Sequence, residues 1–216
     1  MQENIERKKN FRPAFSYDFL TPFYDFLTNI SGFGKSLKKR VVGLLDIQGN
    51  EKVLDVGVGT GTLLIELGKS YSNLELVGID PDPEVLEIAE EKLARFNIEA
   101  QLIRAYAQEL PFQDSSFDLA VSTLTFHHLK TDIKKKATAE IYRILKSGGR
   151  FLLADFGKPV GPISFILLHI GSVFDGGEEM RANLRGEVPI LLRNEGFTVE
   201  KVGKRYLGIE FFLARK

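Results

Sequence analysis

An α/β fold built on a mostly parallel sheet is what this sequence predicts, and three observations carry that reading. From about Val41 onward, short apolar runs alternate with helix-period stretches, the pattern of βα units around a parallel sheet. Each run is rich in Val, Ile or Leu, as strands buried on both faces are. A glycine-rich turn, VLDVGVGTG at 53–61, joins the first run to the first helical stretch. At 216 residues the chain can bury one sizeable core, and nothing in its composition divides it further.

The strand candidates, in order, are KVLDV, LELVGI, AQLIRA, LAVST and RFLLAD. TLLIELGK, after the glycine turn, reads as a helix. Pro83 and Glu84 open EVLEIAEEKLARF, in which Val85, Ile88, Ala89, Leu93 and Phe96 share one helix face. Residues 131–146 predict another helix, ended by Gly148 and Gly149. VPILLRNEGF predicts a helix closing at Gly196. FTVEKVG and YLGIEFFLARK follow with only Lys204 and Arg205 between them, which predicts an antiparallel pair.

Residues 1–40 depart from this alternation and predict an N-terminal helical appendage, with 41–216 as the main domain. Two YDFLT-like pieces stand seven residues apart, which returns Tyr17 and Tyr24 to one helix face. Two readings stay open for them: a lid over a cleft, or the buried stripe of a helix packed on the sheet. KSLKKR at 35–40 reads as a solvated helix face rather than a phosphate site.

Composition narrows the partners. Lys plus Arg and Asp plus Glu both number 29, so no global field steers the chain onto nucleic acid or an anionic membrane. A small, nearly neutral partner is expected. The absence of cysteine excludes disulfides, thiolate metal sites and cysteine nucleophiles, and no metal site is expected. The charged start MQENIERKKN is unlike a signal peptide, and a cytoplasmic location is expected. The apolar stretch from Phe151 to Phe174 is interrupted by Asp155, Lys158, two prolines and several glycines. It falls short of the roughly 18 uninterrupted apolar residues of a spanning helix. Its low polarity leaves open an apolar acceptor, a transient membrane contact, a homodimer interface or ordinary core packing.

The glycine turn is the first chemical signal. At the carboxyl edge of a parallel sheet a strand-to-helix junction is where ligands bind, and glycine leaves no Cβ between backbone and ligand. Asp80, 25 residues beyond Asp55, ends the second strand, where a carboxylate can accept hydrogen bonds from both ribose hydroxyls of a nucleoside. The spacing is G-x-G-x-G, with Thr62 where a dinucleotide fingerprint needs its last glycine. With no pyrophosphate to seat, that spacing suits an adenosine ligand carrying an amino-acid tail.

DVGVGTG, Asp80, AQELPF before a strand opening FD, and YRILKSGGRFLLADF together resemble the ordered motifs of class I S-adenosylmethionine-dependent methyltransferases. The YDFL pieces, LPFQDSSFD and ADFGKP resemble the ubiquinone/menaquinone C-methyltransferase (UbiE-like) branch, over about residues 14–216. The resemblance implies a Rossmann-like fold: a mostly parallel seven-stranded sheet with an antiparallel C-terminal strand and helices on both faces. It also places a substrate-covering insertion at about 157–185. It implies S-adenosyl-L-methionine as cofactor and S-adenosyl-L-homocysteine as product. Asp55, Gly57, Gly59, Thr60 and Gly61 would surround the methionine moiety. Asp80 and the adjoining Pro81 would lie at the ribose, Ala107 and Gln108 at the adenine, and Thr123 beneath the sulfonium. Two departures stand out: Tyr106 replaces an Asp or Asn that meets the adenine amine, and Lys146-Ser147-Gly148-Gly149 replaces K-P-G-G.

His127 and His128 follow the fourth strand and Asp155 ends the fifth. Each is a catalytic candidate, as a base or to orient a polar acceptor group, and each has a structural reading as a packing or capping residue. His169, in FILLHIG, reads as packed or at an interface. The expected activity is methylation of a small lipophilic molecule such as a quinol precursor. The alternatives are N-methylation of a phospholipid headgroup or small amine, and a non-catalytic cofactor-binding module. Nucleic-acid methylation is disfavoured, because Ser122-Thr123-Leu124-Thr125 stands where the amino-methylating enzymes of that fold carry [DNS]-P-P-[YFW].

Overall fold

A computed structural model describes residues 34–160 and 178–216. Tyr17, Tyr24 and His169 lie outside the described residues, as does most of the expected insertion. Seven strands form one sheet: β1 (Lys52–Val56), β2 (Glu75–Asp80), β3 (Gln101–Arg104), β4 (Phe117–Thr123), β5 (Leu145–Phe156), β6 (Thr198–Lys201) and β7 (Ile209–Arg215). Their order is β3-β2-β1-β4-β5-β7-β6. The pairs from β3 through β5 are parallel, and β7 runs antiparallel to both β5 and β6. The chain builds outward from β1 to β3, then returns to set β4 on the other side of β1. That reversal opens a crevice at the carboxyl ends of β1 and β4, where open α/β sheets bind ligands.

Helices cover both faces because the strands alternate apolar residues to each side. One face carries Val53, Leu119, Val121 and Leu152 against Leu37 and Val41 of α1 (Lys35–Val42) and Leu63, Leu64 and Leu67 of α2 (Thr62–Ser70). Leu93 of α3 (Pro83–Arg95) joins the same core. The other face carries Leu54, Ala120, Phe151 and Leu153 against Ala137 and Ile141 of α4 (Thr131–Ile144). It also takes Ala182 of the short α5 (Arg181–Arg185) and Leu192 of α6 (Val188–Asn194). Pro83 sits in the first turn of α3, where its missing N–H costs nothing, and Asp82 caps that helix by accepting the Glu84 N–H at 3.0 Å.

Two boundaries differ from the sequence reading. The helix expected over 131–146 ends at Ile144, and Leu145 already belongs to β5. Sheet pairing takes these residues: Leu145 is registered against Phe117, and the Gly148 N–H donates to the Lys216 carbonyl at 3.2 Å. The register of β5 against β4 shifts between Phe117 and Leu119, so the K-S-G-G segment works as an irregular lead into the strand. The C-terminal pair is antiparallel as expected, but its connection runs from 202 to 208 rather than over two residues. The chain there turns through Gly203 and Gly208 at positive φ, and the Tyr206 and Ile209 main chains bond each other.

Phe151 is fully buried between Phe126 and Phe197, with ring centroids 5.9 and 6.3 Å away. Replacing it by alanine should cost about 3–5 kcal/mol. At roughly 2–4 °C per kcal/mol for a chain of this size, thermal unfolding should show a midpoint about 10 °C lower.

Candidate cofactor and active site

Three strand ends converge on the crevice. Asp55 lies in β1, Asp80 ends β2 and Thr123 ends β4. Asp55 is registered against Val121, so Thr123, two residues further along β4, projects on the same face of the sheet. Ser122, on the other face, ties β4 to β1 by donating its hydroxyl to the Val56 carbonyl at 2.9 Å.

Asp55 is 1% exposed, and its Oδ1 has no hydrogen-bond partner among the described residues. Burial pushes its carboxyl up to about 7; the Lys38 ammonium opposes that shift and the Asp80 charge adds to it. Asp80 is pushed up to about 6, again chiefly by burial and against hydrogen bonds from the Asp82 and Gly59 N–H groups at 3.1 and 3.0 Å. Each Asp80 oxygen accepts one backbone N–H and retains capacity for another donor, the requirement for holding a pair of vicinal hydroxyls.

The glycine turn serves several purposes at once. All three glycines have positive φ: +79° at Gly57, +51° at Gly59 and +75° at Gly61. A Cβ on Gly57 would lie 2.2 Å from the Thr125 hydroxyl, and one on Gly61 would press on Ala89 of α3 at 3.1 Å. A Cβ on Gly59 would meet nothing within 4 Å among the described residues. Two of the glycines therefore permit close packing within the protein, and Gly59 faces open space. The turn is not a phosphate cradle: the Gly57 and Val58 N–H groups both donate to the Ile79 carbonyl at 2.9 Å, and the Gly61 N–H donates to the Val58 carbonyl. Thr60 is buried, and its hydroxyl accepts from Lys92 at 3.0 Å, as does that of Thr62.

Ala107 and Gln108 lie in a tight turn after β3, closed by the main chains of Tyr106 and Glu109. Glu140 of α4 accepts the Leu110 N–H at 2.8 Å. Arg143 donates to the Leu110 and Phe112 carbonyls and pairs with Glu140, so this helix sets the height of the turn. Pro81 accepts Arg104 Nε at its carbonyl, 3.1 Å away, which ties the end of β2 to β3.

On the other side of the β4 end, His127 and Asp155 meet in a buried pair. Asp155 Oδ1 lies 2.8 Å from His127 Nδ1, and Oδ2 accepts the His127 N–H at 3.0 Å. Burial alone would raise Asp155. The His127 imidazole and its hydrogen bond, the Phe156 N–H and the Lys134 ammonium outweigh it and hold the carboxyl below its ordinary value. His128 stacks on His127 with centroids 3.9 Å apart, and burial, followed by the charge of His127, pushes it down to about 3. It stays neutral and is a weak proton acceptor. Lys134, fully buried, donates to the Leu129 and Glu179 carbonyls and is pushed down to about 8, mainly by burial.

The structure thus gathers Asp55, Gly59, Asp80 and Thr123 around one crevice, with the His127–Asp155 pair following the β4 end. Sequence reading missed Lys38, Lys92, Glu140 and Arg143. Lys38 belongs to the run read as a solvated helix face. Lys35, Lys39 and Arg40 are exposed, but Lys38 is half-buried and its ammonium meets the Thr123 hydroxyl. No pattern in one sequence marks which lysine of such a run turns inward.

Comparison with known proteins agrees with this geometry. Residues 53–149 match the family described as Methyltransferase domain. The demethylmenaquinone methyltransferase of Thermus thermophilus is 33% identical over 142 residues, covering 65% of this chain and 64% of that protein. The ubiquinone/menaquinone biosynthesis C-methyltransferase UbiE of Geotalea daltonii is 30% identical over 148 residues, covering 66% of this chain and 62% of its own length. The matches thus span somewhat less than two thirds of these relatives. Among solved structures, the YcgJ protein of Bacillus subtilis has a TM-score of 0.66 at 25% identity, over 80% of this chain and 71% of that one. The [4+2]-cyclase SpnF has a TM-score of 0.71 at 18% identity, over 93% of each chain, a likeness of fold alone.

Residues 53–149 thus match a methyltransferase domain, and the strand order is the Rossmann-like one that class I S-adenosylmethionine-dependent methyltransferases share. Within the class the chain resembles the ubiquinone/menaquinone C-methyltransferase branch. The residues present fit the cofactor. An open approach over Gly59, an underpartnered buried carboxylate at Asp55 and a second carboxylate ending β2 supply room, a counter-charge and hydroxyl acceptors.

Two outcomes are expected. Because burial raises Asp55 and Asp80 to about 7 and about 6, both must lose protons before Asp55 can offset a cation and Asp80 can accept from a pair of hydroxyls. Affinity for S-adenosylmethionine should climb as pH rises through that window and level off above it, and Asp55→Asn should flatten the upper part of the rise in calorimetric titrations. The same shifts act oppositely on the ligand-free fold. Its native state holds the extra protons, so these two groups contribute stability that is full below the ordinary value of 3.8 and is lost progressively as pH rises to about 6 for Asp80 and about 7 for Asp55. The glycines should also separate. Gly57→Ala should lower the melting temperature through its clash with Thr125, while Gly59→Ala, at a strain of about 1 kcal/mol, should mainly weaken cofactor binding.

Proposed function

We propose that this protein is an S-adenosylmethionine-dependent methyltransferase acting on a small lipophilic acceptor of the quinol-precursor kind. The observation that carries the reading is the pairing of two half-sites across the end of β4. Asp55, Asp80 and open space over Gly59 lie on one side, and an imidazole oriented by a buried carboxylate follows on the other. The names of the two relatives support a quinone-ring acceptor. The same fold in a [4+2]-cyclase is a reminder that fold alone does not select the reaction.

The bound cofactor supplies an electrophilic methyl on a sulfonium, a chemistry that asks the protein mainly for alignment. Positioning of this kind contributes roughly 7–11 kcal/mol. Asp55 would face the cationic part of the cofactor and Asp80 its ribose, with Ala107 and Gln108 at the adenine. An aromatic carbon that accepts a methyl must release its own proton, and deprotonating a neighbouring ring hydroxyl makes that carbon more nucleophilic. Asp155 holds His127 through Nδ1, which leaves Nε2 as the nitrogen to take a proton. Asp155 acts here as a positioning residue, and His128, held neutral, packs against the ring it supports. No helix of the described residues is long and apolar enough to cross a membrane.

Tritiated-methyl transfer against quinol precursors, phosphatidylethanolamine and small amines tests the reading, and label in the quinol ring is the expected result. Transfer only to an amine would replace it with headgroup or amine methylation. Cofactor binding without transfer to any acceptor would leave a sensor. With an active acceptor in hand, His127→Gln should lower kcat by about 10²–10⁴-fold and leave cofactor affinity within about twofold. An unchanged kcat would reduce His127 to a packing residue.

A further inference from the structure

Lys38 is the only part of the KSLKKR run with a task inside the crevice on the described residues. Leu37 and Val41 anchor α1 in the core beside α2, and Lys35, Lys39 and Arg40 lie on its solvent side. From that anchored helix the Lys38 side chain reaches Thr123 at the end of β4, 85 residues away in sequence, and donates to its hydroxyl. The hydroxyl belongs to a residue only 4% exposed. Thr123 shares its sheet face with Asp55, whose Oδ1 lacks a partner among the described residues and whose charge the Lys38 ammonium stabilises. An alkylammonium from the protein's own chain therefore stands on the Thr123 hydroxyl, within electrostatic reach of the carboxylate that would receive the cationic tail of the cofactor.

We propose that Lys38 is a tethered plug of the cofactor crevice: its ammonium occupies the place of the cofactor's own α-ammonium, and binding of the amino-acid tail displaces it. The inference rests on the cofactor reading of the crevice given above. A lysine ammonium and an α-ammonium are the same chemical group, with three donors and one charge. Two such cations cannot share Thr123 and the neighbourhood of Asp55 without repulsion, so one must leave. In the empty crevice the lysine offsets the cost of a buried carboxylate, and the cofactor takes over that role when it enters. Because Lys38 belongs to α1, its expulsion removes a side-chain tie between that helix and β4, while Leu37 and Val41 keep the helix in the core. Occupancy of the crevice then becomes linked to the tie between α1 and β4, and by reciprocity anything that breaks that tie favours binding.

The test compares two ligands and two proteins by calorimetry at about pH 8.5, above the Asp55 value of about 7. S-adenosylhomocysteine carries the α-ammonium. 5′-Methylthioadenosine keeps the nucleoside and thioether but has no amino-acid tail. Lys38→Met retains the apolar stem and removes the charge. It should bind S-adenosylhomocysteine about three- to tenfold tighter than the parent and 5′-methylthioadenosine within about twofold. Weaker binding of S-adenosylhomocysteine would make Lys38 a clamp on the carboxylate and overturn the plug, as would equal binding. Hydrogen exchange on the unmutated protein gives an independent readout. Amides of α1 should exchange faster with S-adenosylhomocysteine bound and not with 5′-methylthioadenosine, and unaltered exchange with both would also overturn the proposal. If the unmutated protein binds neither ligand, the cofactor reading itself fails. If it binds both and the Lys38→Met comparison is flat, only the plug fails.

Discussion

A carboxylate held in the sheet with one oxygen unsatisfied is the constraint on which the rest of this structure turns. Asp55 lies in β1, the strand between β2 and β4 at the topological reversal, and water does not reach it. Burying such a group is costly unless it is paired or protonated, and a protein with only folding to achieve would place an apolar residue there. The surroundings respond to that cost. Its proton affinity rises, Lys38 extends toward it from another helix, and the β2 carboxylate of Asp80 is drawn onto the Gly59 and Asp82 N–H groups. Each response makes sense if the site is prepared for a cation that comes and goes.

The glycine turn gains its meaning from the same arrangement. Had its N–H groups pointed outward, it would read as a seat for phosphate. Instead the first two donate to the Ile79 carbonyl, so the turn is locked onto β2 and presents a smooth wall. Clearing side chains from such a wall serves packing as much as binding. Thr125 and α3 press against Gly57 and Gly61, and Gly59 alone opens outward. Three glycines at alternate positions can be read from a sequence as one feature, although physically they answer three different neighbours.

That difference marks how far the sequence was legible. Strands buried on both faces announce themselves by Val, Ile and Leu, and helices by the 3.6-residue period, so the sheet and its flanking helices were readable, as was the position of Asp80 at a strand end. What local pattern cannot contain is pairing with a distant segment. Leu145 and Lys146 continue the helical pattern, yet pairing with Phe117 and, just beyond, of Gly148 with the Lys216 main chain draws them into β5. Lys38 sits in a basic run whose other members face water, and only the position of α1 relative to β4 turns it inward. Glu140 and Arg143 look like an ordinary surface pair at i, i+3. Their grip on the Leu110 and Phe112 backbone, which sets the turn carrying Ala107 and Gln108, depends on where α4 lies on the sheet.

The residues after β4 join the two halves of the site mechanically. Thr123 meets Lys38, Thr125 packs where a Gly57 side chain would be, and His127 is gripped by Asp155 through both its ring and its main chain. Within five residues the chain therefore contacts α1, the β1 turn and the end of β5. Methyl transfer by displacement is sensitive to sub-ångström misplacement of donor against acceptor, because its rate comes mainly from alignment. A short segment pinned at three points by a close contact, a buried hydrogen-bonded pair and a strand end transmits little error between the sides it connects. The same rigidity explains why a device for expelling one cation by another would be placed on Thr123: a shift at that hydroxyl is felt by the Lys38 side chain, a long stem that can swing, rather than by the imidazole, which must not move.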